Sequence, residues 1–249
     1  TDLKPCLAEE MPTVSDDGLT YTFKLRKGVK FQDGSDFNAD VVKFNIERET
    51  VNKTEDMPYA DFCYSYVDKV NVVDDYTVEI VLKSKYTPFL ANMAMVFGAP
   101  MVSKQACEKY NNNLNEHPCG TGPYEFVSWN KDEKVVLKRF DDYWGEPAKC
   151  ENVVIKTIPD ASARVTALQT GEVDIIDGID TNMVDQLKAD SNLSVNLTEG
   201  MNINYMGYNT EKLTDPEVRL ALSEAINVDE LVKGLYGDFA SKADSILPT

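Results

Sequence analysis

The sequence has a single histidine, His117, and its five cysteines are widely spaced with no C-x-x-C pair among 249 residues. Zinc centres need clustered histidine and cysteine ligands, and serine or cysteine hydrolases need a histidine base. A structural or surface role therefore fits His117 better than catalysis. Neither a metal site nor a cofactor is expected.

Basic residues are also scarce, with 25 lysines and arginines against 42 acidic residues and a formal net charge of −17. Such a field repels phosphate backbones, so nucleic acid is not an expected partner. Apolar runs fall short of the roughly 18 residues that a membrane-spanning helix needs. Residues 1–10 carry no signal-peptide pattern, so localisation cannot be read from this terminus.

The cysteines leave two pairing states open. They are Cys6, Cys63, Cys107, Cys119 and Cys150. An odd number leaves at least one thiol unpaired within the chain. Cys107 and Cys119 are the nearest pair and could form a disulfide in an oxidising compartment, but buried free thiols fit at least as well.

Hydrophobic periodicity predicts a mixed α/β or α+β protein. Strands are predicted at 20–25, 153–158 and 173–176, and hairpins at 67–82 and 124–140. Helices are predicted after the caps Asn38, Asp160, Asp215 and Asn227. In the first helix, Val41, Phe44 and Arg48 are expected to share the inner face with Ile46 nearby, and in the third the inner face is expected at Val218, Ala221, Leu222 and Ala225.

Few motifs suggest chemistry. Gly120-Thr121-Gly122 precedes a strand and lacks a Walker lysine, so a tight turn explains its glycines better than a phosphate loop. A carboxylate-based hydrolase needs only two well-placed acids, and the acidic composition keeps that alternative open. Tyrosine-rich segments at 58–66 and 204–209 suit either core packing or ligand contact.

Five segments, taken in order, resemble the peptide, dipeptide and nickel class of ABC-importer substrate-binding proteins, extracellular solute-binding protein family 5. They are LTYTFKLRKGVKFQDG (19–34), GTGPYEFVSW (120–129), RFDDYWG (139–145), IPDASARVTALQTGEVDII (158–176) and PEVRLALSEAINVDELVKGLYG (216–237). The resemblance covers nearly the whole chain and is nearest to oligopeptide-binding proteins. It implies a periplasmic-binding-protein-like, two-lobed fold that closes on its ligand by a hinge motion and delivers it to a membrane permease.

The resemblance also implies the setting and organisation of the protein. It implies a non-enzymatic monomer outside the cytoplasm, either a cell-surface lipoprotein or periplasmic. Because family members are longer at both ends, the chain is expected to be a fragment. Residues 1–203 would form an incomplete lobe I with a smaller subdomain at about 31–116. Residues 204–249 would form a hinge strand, at 204–209, and the truncated start of lobe II.

Four ligand-binding residues follow from the resemblance. Tyr59, within Pro-Tyr-Ala, resembles a peptide-contacting tyrosine, and Tyr205 occupies the cleft-facing place of the hinge strand. Met93 and Phe97 bound a segment that resembles the lobe I side of the cleft. Nickel binders carry an arginine in that segment and this chain has none, which favours a peptide. Another solute, such as a sugar, an opine or a metal chelate, remains the alternative.

Overall fold

The computed structural model describes residues 2–55, 57–198 and 200–245. They fall into two compact units that divide between Thr157 and Ile158. The strands, all in the first unit, are β1 (Thr13–Val14), β2 (Thr20–Lys24), β3 (Val67–Asp74), β4 (Thr77–Leu82), β5 (Tyr124–Asn130), β6 (Lys134–Arg139) and β7 (Asn152–Lys156). The helices are α1 (Ala39–Thr50), α2 (Ala60–Tyr64), α3 (Phe89–Met93), α4 (Lys104–Lys109), α5 (Ala161–Gln169), α6 (Val184–Lys188), α7 (Pro216–Glu224) and α8 (Val228–Tyr236).

The first sheet has the antiparallel order β1-β2-β4-β3. The predicted strand at 20–25 and the hairpin at 67–82 are both present, and Tyr21 lies opposite Ile80 across β2 and β4. Asp74 shapes the hairpin turn, because its carboxylate accepts the Tyr76 N–H at 2.8 Å. Alternate residues of β4, including Val78 and Ile80, are buried, so one face of this sheet carries the main core.

Helix α1 packs against this sheet and begins where its cap predicts. The Asn38 side chain accepts the Val41 N–H at 3.0 Å. The inner face is only partly as expected: Val41 and Ile46 are buried, whereas Phe44 and Arg48 each keep some exposure to solvent. Besides Ala39 and Val41, the buried residues of α1 are Val42, Asn45, Ile46 and Glu49. Their spacing of three, one and three residues defines one helical face, and it places a carboxylate inside the protein.

The second sheet, β5-β6-β7, is antiparallel and contains the predicted hairpin at 124–140 and strand near 153–158. The Gln32 side chain ties the first sheet's loops to it. Its Nε2 donates to the Tyr124 carbonyl at 2.7 Å, and its Oε1 accepts the Gly120 N–H at 3.1 Å. Neither Gly120 nor Gly122 has a positive φ, and an added Cβ would meet nothing within 4 Å. Neither the backbone conformation nor the available space therefore requires glycine at these two positions.

The second unit is helical among its described residues, with a 3-10 turn at Thr181–Met183 before α6. Helices α5, α7 and α8 begin at the predicted caps: Asp160 accepts the Ala163 N–H at 2.7 Å, Asp215 the Glu217 N–H at 2.9 Å and Asn227 the Glu230 N–H at 3.3 Å. The strands predicted at 173–176 and 204–209 are absent. A strand needs a partner for its backbone, and neither segment pairs with a described one.

The predicted inner face of α7 is also wrong, because no residue of α7 or α8 is buried. Val218 is 44% exposed and Leu222 is 43% exposed. Their helical spacing does form an apolar stripe, but among the described residues it meets no covering apolar surface.

The five cysteines are free, with Cys63, Cys107 and Cys119 buried and Cys6 and Cys150 exposed. Of the two states left open for the nearest pair, this structure has the reduced one. The ring of His117, the single histidine, stacks on the ring of Tyr110 with centroids 3.9 Å apart.

Candidate functional site

Two of the predicted ligand-binding residues, Tyr59 and Phe97, line one small pocket in the first unit, with a volume of about 210 Å³. We call it the Tyr59 pocket. Tyr59 is 43% exposed and Phe97 79% exposed, so both rings are open to a solute. The lining also includes Arg48, Glu49, Met57, Val102, Asn112 and Asn115. The volume lies below the roughly 300–1,000 Å³ of drug-sized sites and suits a group the size of one side chain.

Close packing between α2 and the loop after α3 fixes the two aromatic walls. An added Cβ at Gly98 would lie 2.4 Å from Cys63 Sγ and 3.0 Å from Tyr59 Cβ, so only glycine fits there. The Asn92 side chain donates to the Phe62 carbonyl at 2.8 Å, which joins α3 to α2. The loop that carries Phe97 is therefore pressed onto the segment that carries Tyr59.

Asn45 anchors the far side of the pocket. Its Nδ2 donates to the Val102 carbonyl at 3.0 Å and its Oδ1 accepts the Val102 N–H at 3.0 Å. Nδ2 also donates to the Val41 carbonyl at 2.9 Å. Asn45 is 1% exposed, so these bonds are shielded from water. The amide thus holds a pocket-lining loop residue against α1.

The charged wall of the pocket is a buried ion pair between neighbours on α1. Arg48 Nη2 lies 2.6 Å from Glu49 Oε1, and the two side chains are only 11% and 8% exposed. Burial raises the pKa of Glu49 despite the attraction of Arg48. Burial, followed by the charge of Glu49, also raises the pKa of Tyr64. Glu49 therefore carries its charge in a poorly solvated place.

The third predicted residue, Met93, lies in a different cavity. It lines an apolar groove of about 740 Å³ together with Leu7, Phe23, Met95, Met101 and Gly122. Pro100 lines both the groove and the Tyr59 pocket, so the two adjoin. The structure therefore places Met93 in a different cavity from Tyr59 and Phe97.

The fourth predicted residue, Tyr205, belongs to the second unit and is 79% exposed. Its segment is held beside the C-terminal helices. Asn204 Nδ2 donates to the Tyr236 hydroxyl at 2.9 Å, and the Tyr208 and Ser223 hydroxyls lie 3.0 Å apart. These two bonds flank Tyr205 and leave its ring unobstructed.

A partly buried polar cluster joins α4 to the loop before α1. Ser103 caps α4 by accepting the Ala106 N–H at 3.1 Å, and its hydroxyl donates to the Asp33 carboxylate. Asp33 also accepts the Ser35 hydroxyl at 2.6 Å. Burial, followed by the charge of Asp33, raises the pKa of Cys119 to about 11. This cluster is structural, because each of its groups is used in holding the loops together.

The sequence did not single out Glu49, Asn112 or Asn115 as site residues. The adjacent Arg48 and Glu49 on an otherwise apolar helix face were the one available signal for the ion pair. The two asparagines reach the pocket through chain folding alone, and Asn112 has a φ of 62°. In residues 2–55, 57–198 and 200–245, no three His, Cys, Asp or Glu side chains form a group that could hold a metal. No helix in that part of the chain is long and apolar enough to cross a bilayer.

Comparison with known proteins identifies the family. The family model described as bacterial extracellular solute-binding proteins, family 5 Middle, matches residues 2–249. The chain belongs to this family. It is 40% identical over 250 residues to the glutathione-binding protein GsiB of Salmonella choleraesuis, covering 99% of this chain and 48% of GsiB.

Two solved structures show the same architecture. The periplasmic binding protein DppA of Helicobacter pylori, in complex with peptide STSA, matches with a TM-score of 0.86 and 37% identity over 98% of this chain and 51% of DppA. NikZ of Campylobacter jejuni, in complex with Ni(L-His), matches with a TM-score of 0.83 and 32% identity over 99% of this chain and 49% of NikZ. The predicted periplasmic-binding-protein-like mixed α/β fold is confirmed.

The chain spans about half the length of the relatives it matches. The predicted membership of this family is likewise confirmed, and its solved members include one in complex with a peptide and one in complex with Ni(L-His). Of these relatives, DppA is named as a periplasmic binding protein, and the family description calls its members extracellular.

Proposed function

We propose that the intact protein captures peptides outside the cytoplasm and delivers them to the permease of an ABC importer. The observation that supports this proposal is the family membership, with GsiB named for glutathione, a tripeptide, and DppA solved with peptide STSA. In this proposal the protein is a monomer, bound to the cell surface by a lipid or free in the periplasm, and it releases its ligand unchanged.

The two-lobed organisation is part of the proposal. Residues 1–203 would form the incomplete lobe I, with the smaller subdomain at about 31–116. Residues 204–249 would form the hinge segment, whose predicted strand is unpaired among the described residues, and the start of lobe II. This boundary concerns the intact protein, whereas the division at Thr157 reflects contacts within the present chain. Thr249, at which lobe II is predicted to be truncated, lies outside the described residues.

The ligand contacts follow from the site. Tyr59 and Phe97 present aromatic faces at one pocket, and Met93 presents a flexible apolar side chain in the adjoining groove. Peptides offer backbone groups for hydrogen bonds and side chains for such surfaces. Tyr205 would supply a further ring from the hinge segment.

A metal chelate is the second candidate ligand, and the likeness to NikZ with Ni(L-His) favours it. The absence of arginine from residues 93–97 favours peptide over chelate. A hydrolase would need two opposed carboxylates, and Glu49, the acid in the Tyr59 pocket, is paired with Arg48.

Titration calorimetry on the intact protein tests these assignments with glutathione, STSA and Ni(L-His) as separate ligands. We expect saturable binding of a peptide, with the peptide recovered unchanged by mass spectrometry.

Tyr59→Ala should weaken binding about tenfold or more, because a truncated ring loses its whole contact area. Phe62→Ala is the matched control, since Phe62 is 57% exposed on α2 but does not line the pocket. Binding of Ni(L-His) without either peptide would overturn the peptide assignment, and cleavage of the peptide would overturn the non-enzymatic role.

A further inference from the structure

The hydrogen bonding of the Arg48–Glu49 pair is incomplete. In the described part of the chain, Arg48 Nε is the only solvent-inaccessible side-chain nitrogen or oxygen atom without a hydrogen-bond partner. Glu49 Oε1 accepts a hydrogen bond from Arg48 Nη2 at 2.6 Å, whereas Glu49 Oε2 has no hydrogen-bond partner among the described residues and is not fully shielded from solvent. Glu49 lines the Tyr59 pocket, and a carboxylate oxygen without a protein donor can accept a hydrogen bond from a group bound in that cavity.

Two of the other walls suit a positive charge, and the charge of Arg48, which also lines the cavity, is offset by its pairing with Glu49. Tyr59 and Phe97 line the same cavity with exposed rings, and aromatic faces attract cations. Lys53, the lysine nearest in sequence, is already paired with Asp61 at 2.6 Å. The chain's net charge of −17 favours entry of a cation and opposes entry of an anion.

Burial keeps the pKa of Glu49 above its usual value although Arg48 lies beside it. One cation therefore does not fully offset the cost of ionising this carboxylate. A second cation at Glu49 Oε2 would lower that cost, and an anion would increase it.

We propose that the Tyr59 pocket is a subsite for a primary ammonium group, which donates to Glu49 Oε2 and lies against the rings of Tyr59 and Phe97. The volume of about 210 Å³ accommodates an alkylammonium the size of a lysine side chain. The subsite rests on the proposed function only in assigning the ammonium to a peptide, where it is either a lysine side chain or the α-amino group.

The chain provides its own reporters for a direct test. Met57 lines the Tyr59 pocket, whereas Met93, Met95 and Met101 line the apolar groove. The 249-residue chain carrying ¹³C-methyl methionine is titrated with n-butylammonium, n-butanol and n-butyrate and followed by NMR. We expect a saturable shift of the Met57 methyl signal with n-butylammonium alone, while the three groove methionines stay unchanged.

Variants assign the shift to Glu49. Glu49→Gln keeps the shape, removes the charge and should weaken n-butylammonium binding about tenfold or more. The matched control is Glu47→Gln on the same helix, whose carboxylate is 43% exposed and pairs with Lys43, and its binding should equal that of the native chain. Phe97→Leu alters only a surface ring, so it tests the aromatic wall even if Glu49→Gln fails to fold, and a severalfold loss is expected.

Two further probes identify the source of the ammonium. Nα-acetyl-lysine amide carries only the side-chain ammonium, and alaninamide carries only the α-ammonium. Saturation with n-butyrate in place of n-butylammonium, equal shifts with n-butanol, or an unchanged affinity in Glu49→Gln would each overturn the subsite. Ammonium binding by an intact protein that captures no peptide would retain the subsite and refute the proposed function instead. Peptide capture without ammonium binding would refute the subsite alone.

Discussion

The amide of Asn45 holds a wall of the Tyr59 pocket in place, and its contribution to the free energy of unfolding can be estimated from its hydrogen bonds. Asn45→Ala leaves both the N–H and the carbonyl of Val102 without their partners. An unpaired buried polar group costs about 1–3 kcal/mol. Because Val102 is half-buried and water reaches part of it, we expect a loss of about 2–4 kcal/mol in the free energy of unfolding.

Urea unfolding of the chain, followed by circular dichroism, measures this loss. Asn52→Ala is the matched control, because Asn52 is exposed beyond the end of α1 and its side chain makes no hydrogen bond to any described residue. A surface change of this kind is worth about 0.5 kcal/mol or less. If Asn45→Ala costs no more than Asn52→Ala, Asn45 does not hold the pocket loop and our explanation of the pocket is wrong.

Two further predictions concern buried sulfur. Gly98→Ala places a methyl group 2.4 Å from Cys63 Sγ and should destabilise the chain by about 1–3 kcal/mol, and Cys63→Ala in the same chain should recover most of that loss in a double-mutant cycle of urea midpoints. The pKa of the Cys119 thiol is raised from 9.0 to about 11 in the folded chain, so the unfolded chain loses this proton at a lower pH than the folded chain does. The stability that this thiol contributes is therefore complete below pH 9 and is lost as the pH rises to about 11. Between pH 8 and 10.5 the native chain should therefore lose more stability than Cys119→Ala, and equal losses would show that this thiol is not protected.

Local chemistry made much of the fold predictable. The caps Asn38, Asp160, Asp215 and Asn227 each accept a backbone N–H at the start of a helix, as their side chains and positions indicate. Both hairpins were predictable because each has its partner strand close by in sequence. The inner face of α1 was less so, since a buried glutamate violates the usual rule that charges lie outside.

The failures have a common physical cause. Residues 173–176 and 204–209 have strand-like sequences, but strands form only when backbone groups find partners, and partner choice is not a local property. Similarly, the stripe on α7 indicates a face that could be buried without indicating what buries it. Helical spacing and alternation describe one element and not its neighbours.

The candidate site shows the same division. Tyr59 and Phe97 were predicted from the family resemblance, and the structure brings them together in one pocket. Whether either contacts ligand stays a prediction. The placement of Met93 in the adjoining groove, and of Asn112 and Asn115 in the pocket, depends on how the loops after α3 and α4 return to α1, which no single segment encodes.

The Gln32 side chain has a consequence for sequence variation. In the segment 120–124 its amide forms hydrogen bonds with main-chain atoms only, namely the Gly120 N–H and the Gly122 and Tyr124 carbonyls. Recognition of this type is indifferent to side-chain identity, and the loop leaves space for a Cβ at both glycines. Homologues could therefore drift at these two positions while retaining the join between the two sheets, whereas a change at Gln32 would remove all three bonds at once.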